Sequence, residues 1–253
     1  MPKTIAQGAE AIITLVTPTS LSKKSSSLTT SQSIASHSEP FIIKDRIPKT
    51  YRLPKLDNKI RSRRTRSETK LLEKASSIIN SPIPQPQKDK FKIKMPFIEG
   101  KKLSEHLDSF SLTKQKQICK QIGESVAKLH DANIIHGDLT TSNMILTPPQ
   151  TSLKKSSTLS KSQAKKSGKA NFEVINPSEA SVYFIDFGLG FQSHKYEDKA
   201  VDLHLLRQAL EAKHFKHWEE LFNNVIEGYK KFPNYKIILE RLKAVEKRGR
   251  YKH

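Results

Sequence analysis

The stretch Ile134-Ile135-His136-Gly137-Asp138-Leu139-Thr140-Thr141-Ser142-Asn143-Met144-Ile145-Leu146 places an aspartate five residues before an asparagine, on a loop that runs into an apolar strand. Downstream stands Phe184-Ile185-Asp186-Phe187-Gly188. Asp138 can accept a proton from an attacking hydroxyl or water, while Asn143 and Asp186 can offer hard oxygen donors to the Mg²⁺ ions that bridge and neutralise phosphates. One proton acceptor and two metal ligands in this order are what phosphoryl transfer from Mg-ATP requires. Singly, Asp-x-x-x-x-Asn could be a turn whose side chains bond their own backbone, and Asp-Phe-Gly carries little information. Their joint occurrence selects the chemistry.

This apparatus needs a cation for the phosphates and an acid to aim it. Phe41-Ile42-Ile43-Lys44 is a short apolar run ending in lysine, suited to a strand that directs the Lys44 ammonium at ATP. Across residues 60–79, Leu71, Leu72, Ala75, Ile78 and Ile79 recur at helical spacing. Glu68 lies about one turn before Leu71 and Leu72, where it can pair with Lys44. Alone, Lys44 is one of 45 Lys and Arg residues and Glu68 could be a surface helix charge; the downstream motifs raise both above that reading. The loop over the phosphates is expected in residues 5–13, with Ile5, Gly8, Ala9, Ala11 and Ile13 as nucleotide contacts. It holds one glycine where protein kinases carry Gly-x-Gly-x-x-Gly, although Gly8 and the small Ala9 and Ala11 still permit close backbone approach.

The elements that must position these residues predict an α+β chain with the two-lobed protein-kinase-like fold. Residues 1–97 form a small β-rich N-lobe with one long helix, and residues 98–253 form a mainly helical C-lobe. Residues 91–97 read as a strand and Ile98-Glu99-Gly100 as the hinge. Ile118, Ile122, Val126 and Leu129 mark a helix before the catalytic loop, and Val201, Leu205, Leu206, Ala209 and Leu210 mark one beginning near Asp198. Residues 218–232 and 235–245 read as two more. Two stretches rich in Ser, Thr and Lys, residues 17–39 and 147–178, have few apolar residues and no periodicity, so they read as disordered insertions in surface loops. The second must loop out of a hairpin, because Asn143 and Asp186 have to converge on one metal.

The chain of 253 residues carries a formal charge of +20. No apolar run approaches the roughly 20 residues that span a bilayer and no signal-peptide pattern opens the chain, which points to a soluble intracellular protein. The single cysteine, Cys119, falls beside Ile118 and Ile122 and is expected to be partly buried in packing. His214 and His217 have a spacing that could suit a metal, but no cysteine or acid stands at ligand spacing, so an exposed helix end is expected. His136 is expected to order the catalytic loop. Eleven Lys or Arg face three acids between Phe41 and Lys70, with Arg61, Arg63, Arg64 and Arg66 close together, and the chain ends Lys247-Arg248-Gly249-Arg250-Tyr251-Lys252-His253. Both clusters suit a phosphate backbone, the tail foremost; the bland alternative is a solvated helix face and a frayed end.

Two absences narrow the class. Gly137 precedes the catalytic aspartate where protein kinases usually have an arginine for a phosphorylated activation loop, and no Ala-Pro-Glu follows Gly188. Little room remains for a peptide-docking platform. Through Gln7-Gly8-Ala9-Glu10-Ala11, residues 43–52 (Ile-Lys-Asp-Arg-Ile-Pro-Lys-Thr-Tyr-Arg), the catalytic block, Asp186-Phe187-Gly188-Leu189, residues 197–203 (Glu-Asp-Lys-Ala-Val-Asp-Leu) and Arg248-Gly249-Arg250, the chain resembles the atypical small serine/threonine kinase subunit of the KEOPS/EKC complex, related to the PRPK proteins. It departs at Leu53, where the family often has His, and in its long insertions. The resemblance implies an ATP- and Mg²⁺-dependent kinase and ATPase that works beside a threonylcarbamoyltransferase and other KEOPS/EKC subunits in making threonylcarbamoyladenosine next to the tRNA anticodon. It further implies tRNA contact through the basic tail, links to telomere maintenance and transcription, and residence in nucleus and cytoplasm. By motif match, Asp138 is the proton acceptor, Asn143 and Asp186 are the metal ligands, and Lys44 is the phosphate contact. Two other readings stay open: a small-molecule phosphotransferase of aminoglycoside or choline type, which needs extra helical structure around its acceptor, and a non-catalytic RNA-binding scaffold, which could lose Asp138 or Asp186.

Overall fold

The structure, a computed structural model, describes residues 2–17, 39–149 and 180–249. Both Ser/Lys-rich insertions therefore lie outside the described residues except at their margins, as does the tail beyond residue 249. Strands β1 (Pro2–Gln7), β2 (Ala11–Val16), β3 (Phe41–Arg46) and, after helix α1 (Pro54–Ser76), β4 (Lys92–Pro96) form an antiparallel sheet in the order β1-β2-β3-β4. Lys44 of β3 stands in register between Ile13 of β2 and Ile93 of β4, which fixes the lysine between two apolar neighbours.

Helix α1 begins earlier and ends earlier than the spacing of its leucines predicts. Pro54 stands in its first turn, where a missing N–H is harmless and a fixed φ is already helical. Ile78 and Ile79 lie beyond the end: their N–H groups both donate to the Ala75 carbonyl, at 2.9 and 2.8 Å, and close the last turn. The buried face carries Glu68, Leu71, Leu72 and Ala75, so the apolar seam and the acid leave the helix on the same side.

The C-terminal part opens with β5 (Lys101–Lys102) and α2 (Leu103–His106), then α3 (Leu112–Asp131), whose N-cap Ser111 accepts the Lys114 N–H. β6 (Ile134–Ile135) leads into the catalytic loop. β7 (Met144–Thr147) and β8 (Ser181–Phe184) form a hairpin with Met144 opposite Phe184 and Thr147 opposite Ser181, and β9 (Phe191–Gln192) pairs with β6. Helices α4 (Tyr196–Lys213), α5 (Trp218–Tyr229) and α6 (Tyr235–Gly249) complete the chain. α5 stops short of Phe232, and α6 runs past Val245. Cys119 is fully buried in α3 rather than partly so, and burial pushes its thiol up to about 12. No helix among the described residues is long and apolar enough to cross a membrane.

α3 and α5 pack backbone to backbone. A Cβ on Gly123 would lie 1.9 Å from the Val225 carbonyl oxygen, and one on Gly228 would lie 2.1 Å from the Lys120 oxygen. This contact sets the position of α3, the helix that delivers the catalytic loop. Gly123→Ala therefore separates two effects of opposite sign. Helix propensity alone favours alanine by about 1 kcal/mol, whereas a methyl pressed to 1.9 Å from a backbone oxygen costs the upper end of overpacking, about 3 kcal/mol. The expected outcome of this net loss of about 2 kcal/mol is a thermal midpoint lowered by roughly 4–8 °C, read by circular dichroism; an unchanged or raised midpoint contradicts the close crossing.

Candidate active site

Lys44 is buried, and its Nζ donates to Glu68 Oε1 at 2.7 Å and to Asp186 Oδ1 at 2.6 Å. The sequence-predicted lysine, its helix partner and one metal ligand thus meet at one ammonium. Arg46, two residues along β3 and on the same face, donates to Glu68 Oε2 at 2.5 Å and reaches Glu10 Oε2 at 3.5 Å. Arg64 of α1 also pairs with Glu10, and its hydrogen bond holds that carboxyl below the usual carboxylate range. The turn between β1 and β2 is in this way tied to α1. Gly8 N–H donates to the Ala11 carbonyl at 3.0 Å and Lys49 Nζ donates to the Ala9 carbonyl, so the single-glycine loop is held as a tight hairpin. Of its expected nucleotide contacts, Ala11 is buried, Ile13 is half-buried beside Lys44, and Ile5, Gly8 and Ala9 are exposed.

The catalytic loop is built from local bonds. Asn143 Nδ2 donates to the Asp138 carbonyl at 2.9 Å and to Asp138 Oδ2 at 2.8 Å, while the Asn143 carbonyl accepts the Ile185 N–H at 2.9 Å. Asp138 and Asn143, the expected proton acceptor and metal ligand, are locked together, and the segment after β8 that carries Asp186 is fastened beside them. Asp186 has φ +63°, a conformation side chains resist, and its Oδ1 accepts the Gly188 N–H at 3.1 Å. Burial pushes this carboxyl up, but the Lys44 charge and hydrogen bond, with the Gly188 N–H and His136, outweigh it and hold the group below the usual range. Its Oδ2 keeps no protein partner among the described residues, and neither does Asn143 Oδ1. Two free oxygens of this kind fit a hard cation such as Mg²⁺.

His136 orders the loop as expected: its Nε2–H donates to the Ile185 carbonyl at 3.2 Å and its Nδ1 accepts the Asp138 N–H at 3.3 Å. Gly137 has φ +78°, and a Cβ there would lie 2.3 Å from the Leu189 oxygen. The chain after Asp186 is packed so closely on the loop that no arginine could occupy this position.

Several functional positions were invisible to motif reading. Asp202 of α4 is buried beneath the loop and accepts the N–H groups of His136 (2.8 Å) and Gly137 (2.9 Å). His130 Nε2 also reaches Asp202 Oδ2 at 3.3 Å, and His130 Nδ1 meets the Tyr229 hydroxyl at 2.8 Å. A carboxylate only accepts, so Nε2 carries the proton and the tyrosine hydroxyl donates to Nδ1. Burial lowers the His130 imidazole pKa against the pull of Asp202 and keeps it neutral; burial also raises the Tyr229 phenol. For Asp202, burial acts upward, but the hydrogen bonds from His130 and the backbone prevail and hold it below the usual range. With His130 neutral, hydrogen bonding rather than ion pairing does this. Arg46 and Asp202 stand inside the blocks that carry the family resemblance, with no role assigned there, and His130 and Tyr229 carried no signal.

His214 corrects its expected exposure. It is buried, its Nδ1–H donating to Asp108 Oδ1 at 2.9 Å and its Nε2 accepting from Thr141 Oγ1 at 3.2 Å, so it braces the turn before Asn143. His217 is half-buried at the start of α5.

A model of the lipopolysaccharide kinase (Kdo/WaaP) family matches residues 99–171, the hinge-to-loop portion of the chain. The KEOPS complex subunit Bud32 of Pyrococcus abyssi is 35% identical over 216 residues, which cover 83% of this chain and 84% of that one. The chain belongs to the Bud32 family. A probable serine/threonine-protein kinase BUD32 homolog of Archaeoglobus fulgidus, 32% identical over 216 residues, is covered to 89%. A probable bifunctional tRNA threonylcarbamoyladenosine biosynthesis protein of Methanobrevibacter smithii is 37% identical, and the chain spans 33% of its length. Among solved structures, Rio2 kinase of Chaetomium thermophilum, in an ADP/Mg²⁺-phosphoaspartate complex, superposes with a TM-score of 0.51 at 12% identity, covering 98% of this chain and 70% of that one. The fold is protein-kinase-like, as the sequence predicts, and this Bud32-family chain keeps a small antiparallel sheet ahead of a mainly helical part.

Asp202→Asn replaces an acceptor-only group with one whose amide must face an N–H. The expected result is a loss of about 1–3 kcal/mol in stability at pH 7, the cost of a buried N–H left without its acceptor, and a lower rate of ATP turnover. Because the native Asp202 pKa is depressed, its contribution is fully present above the unfolded value of about 3.9 and disappears as pH falls through the native value. Thermal midpoints of the two proteins should therefore differ constantly from pH 7 to about pH 5 and converge below about pH 4. A difference that grows on acidification contradicts a buried carboxylate at this position.

Proposed function

We propose that the chain is the ATP-using serine/threonine-kinase-type subunit of a KEOPS-type complex, supporting threonylcarbamoyladenosine formation in tRNA. The observation that carries this reading is Lys44, held between Glu68 and Asp186 at 2.7 and 2.6 Å, beside an Asp138 that is hydrogen-bonded to Asn143. An intact phosphate cation, proton acceptor and pair of oxygen donors favour catalysis over a scaffold role. The names of the relatives supply the context: KEOPS subunit, kinase homolog and threonylcarbamoyladenosine biosynthesis protein.

In this reading Asn143 Oδ1 and Asp186 hold Mg²⁺, which when bound neutralises charge on the phosphates of ATP. Lys44 binds a phosphate oxygen, and Glu68 keeps its ammonium aimed there. Asp138 takes the proton of the attacking water or hydroxyl at a carboxylate oxygen, while Asn143 Nδ2 orients that carboxylate. The β1–β2 turn, held by Glu10, covers the nucleotide, with Ile5, Gly8, Ala9, Ala11 and Ile13 along it. The residues beyond Glu246 reach the RNA: α6 carries Lys247 and Arg248 outward, and Arg248 pairs with Glu197 of α4. The threonylcarbamoyltransferase and further subunits are the partners. Residence in nucleus and cytoplasm, and any part in telomere maintenance or transcription, rest on the family resemblance.

Asp186→Ala should abolish Mg²⁺-dependent ATP turnover with the fold preserved by circular dichroism. Asp138→Ala should lower it on the order of a hundredfold or more. Full turnover in either folded variant would remove the kinase assignment. For the tail, truncation after Glu246 should weaken binding of labelled tRNA and flatten its salt dependence, by about 0.7–0.9 in log–log slope for each phosphate that the tail neutralises. RNA-free ATP turnover should stay unchanged, because an exposed pair such as Arg248–Glu197 contributes about 0–1 kcal/mol. Identical salt slopes would place the RNA elsewhere than the tail.

A further inference from the structure

The basic cluster of α1 is divided by the fold. Arg61 turns inward: its Nε donates to Asp57 at 2.7 Å, its guanidinium donates to the Arg46 carbonyl at 2.9 Å, and it stacks over Phe91 at 3.9 Å. Arg64 is engaged by Glu10. Arg63 and Arg66 point the other way and are exposed, together with Lys55, Lys59, Lys70 and Lys74. These six positions, 55, 59, 63, 66, 70 and 74, succeed one another by three or four residues, so they form one stripe along a single face. At 1.5 Å per residue the stripe is ~28 Å long. None of the six has a carboxylate partner among the described residues. Asp57 and Glu68 of the same helix are buried on the opposite side, and Glu73, at the C-terminal end, is the one acid of α1 that is exposed.

Like charges at helical spacing repel, and the repulsion is relieved by a partner of opposite sign laid along the helix. Between Lys59 and Lys70 the face carries no apolar side chain that could form the dry centre of a protein–protein contact. Its small neighbours, Ser62 and Ser67, leave room for a backbone to approach. We infer that the outer face of α1 is a docking surface for the phosphate backbone of folded RNA, separate from the tail and on the same helix that carries Glu68. The identification of the polyanion as RNA rests on the proposed function; the surface itself rests on charge and exposure.

The test is Lys59→Gln, Arg63→Gln, Arg66→Gln and Lys70→Gln combined, in the full chain, since glutamine preserves helix propensity. Two controls accompany it: the same four-charge loss at the exposed Lys120, Lys213, Lys216 and Lys236, and the charge-keeping pair Arg63→Lys, Arg66→Lys. Binding of labelled tRNA is measured across a salt series, with polyglutamate as competitor, and RNA-free ATP turnover is measured in parallel. The expected result is a log–log salt slope flatter by about 3 to 4 for the stripe variant alone, with near-normal slope in both controls and unchanged turnover. An equal slope in the stripe variant and the intact chain overturns the proposal while leaving tRNA binding through other surfaces standing. Equal losses in the stripe variant and the four-lysine control overturn it as well, because net charge would then be the cause. Displacement of tRNA by polyglutamate at equal charge concentration replaces RNA with an acidic protein as the occupant. Should the stripe variant lose its fold, the charge-keeping pair decides with a second pair, Arg63→Gln and Arg66→Gln, expected to flatten the slope by about 2.

Discussion

A buried ammonium cannot remain charged without compensation, and the architecture is arranged around supplying it. Lys44 comes from the sheet, Glu68 from α1 and Asp186 from the segment after β8, and one Nζ draws all three together. Desolvating these charges is costly, and removing Glu68 would leave Arg46 and Lys44 buried without the acid they share. The cluster is therefore a constraint that the two parts of the chain satisfy jointly. Arg46 extends it by taking the second oxygen of Glu68 and reaching Glu10, so the β1–β2 turn and the position of α1 are set by a continuous line of alternating charges.

The catalytic loop solves a different problem. It is irregular, so its backbone N–H groups need partners that no helix or sheet supplies. Asp202 supplies two of them from below, and His130 and Tyr229 fix the carboxylate in turn. His214 does the same work from the side through Thr141. The path from Tyr229 of α5 to Asp138 runs through hydrogen bonds that are buried as far as the His136 N–H and part-buried at the last step, and the α3–α5 crossing at Gly123 and Gly228 holds its far end in place. Catalytic geometry and helix packing are one structural unit here.

α1 shows how one helix can meet two demands. Its inner face must deliver Glu68 into an apolar seam, and its outer face is left with cations that have no carboxylate partner among the described residues. Arg61 and Arg64 were drawn inward by Asp57 and Glu10, which halves the arginine cluster that the sequence displays. Because both faces belong to one rigid element, an anion held on the outside and the Lys44–Glu68 pair on the inside share the same backbone.

Much of the site was legible in the residues alone. Asp138, Asn143, Asp186, Lys44 and Glu68 stand in motifs whose order and spacing encode one chemistry, and local periodicity located the helices around them because burial follows the 3.6-residue repeat. Helix ends were less legible: a proline moved the start of α1 forward, and Ile79 is buried and Ile78 half-buried without either being helical. What only the tertiary structure decided is the identity of distant partners. Asp202, separated from His136 by 66 residues, Arg46 against Glu68, and His214 against Thr141 each depend on which surfaces meet, and a side chain's own neighbours in sequence carry no record of that. The same holds for the basic cluster: spacing placed four arginines on one helix, but only the positions of Asp57, Glu10 and Phe91 determined which of them remain outside. Motifs are local because the chemistry needs fixed offsets; partner choice is non-local because burial is settled by the whole fold.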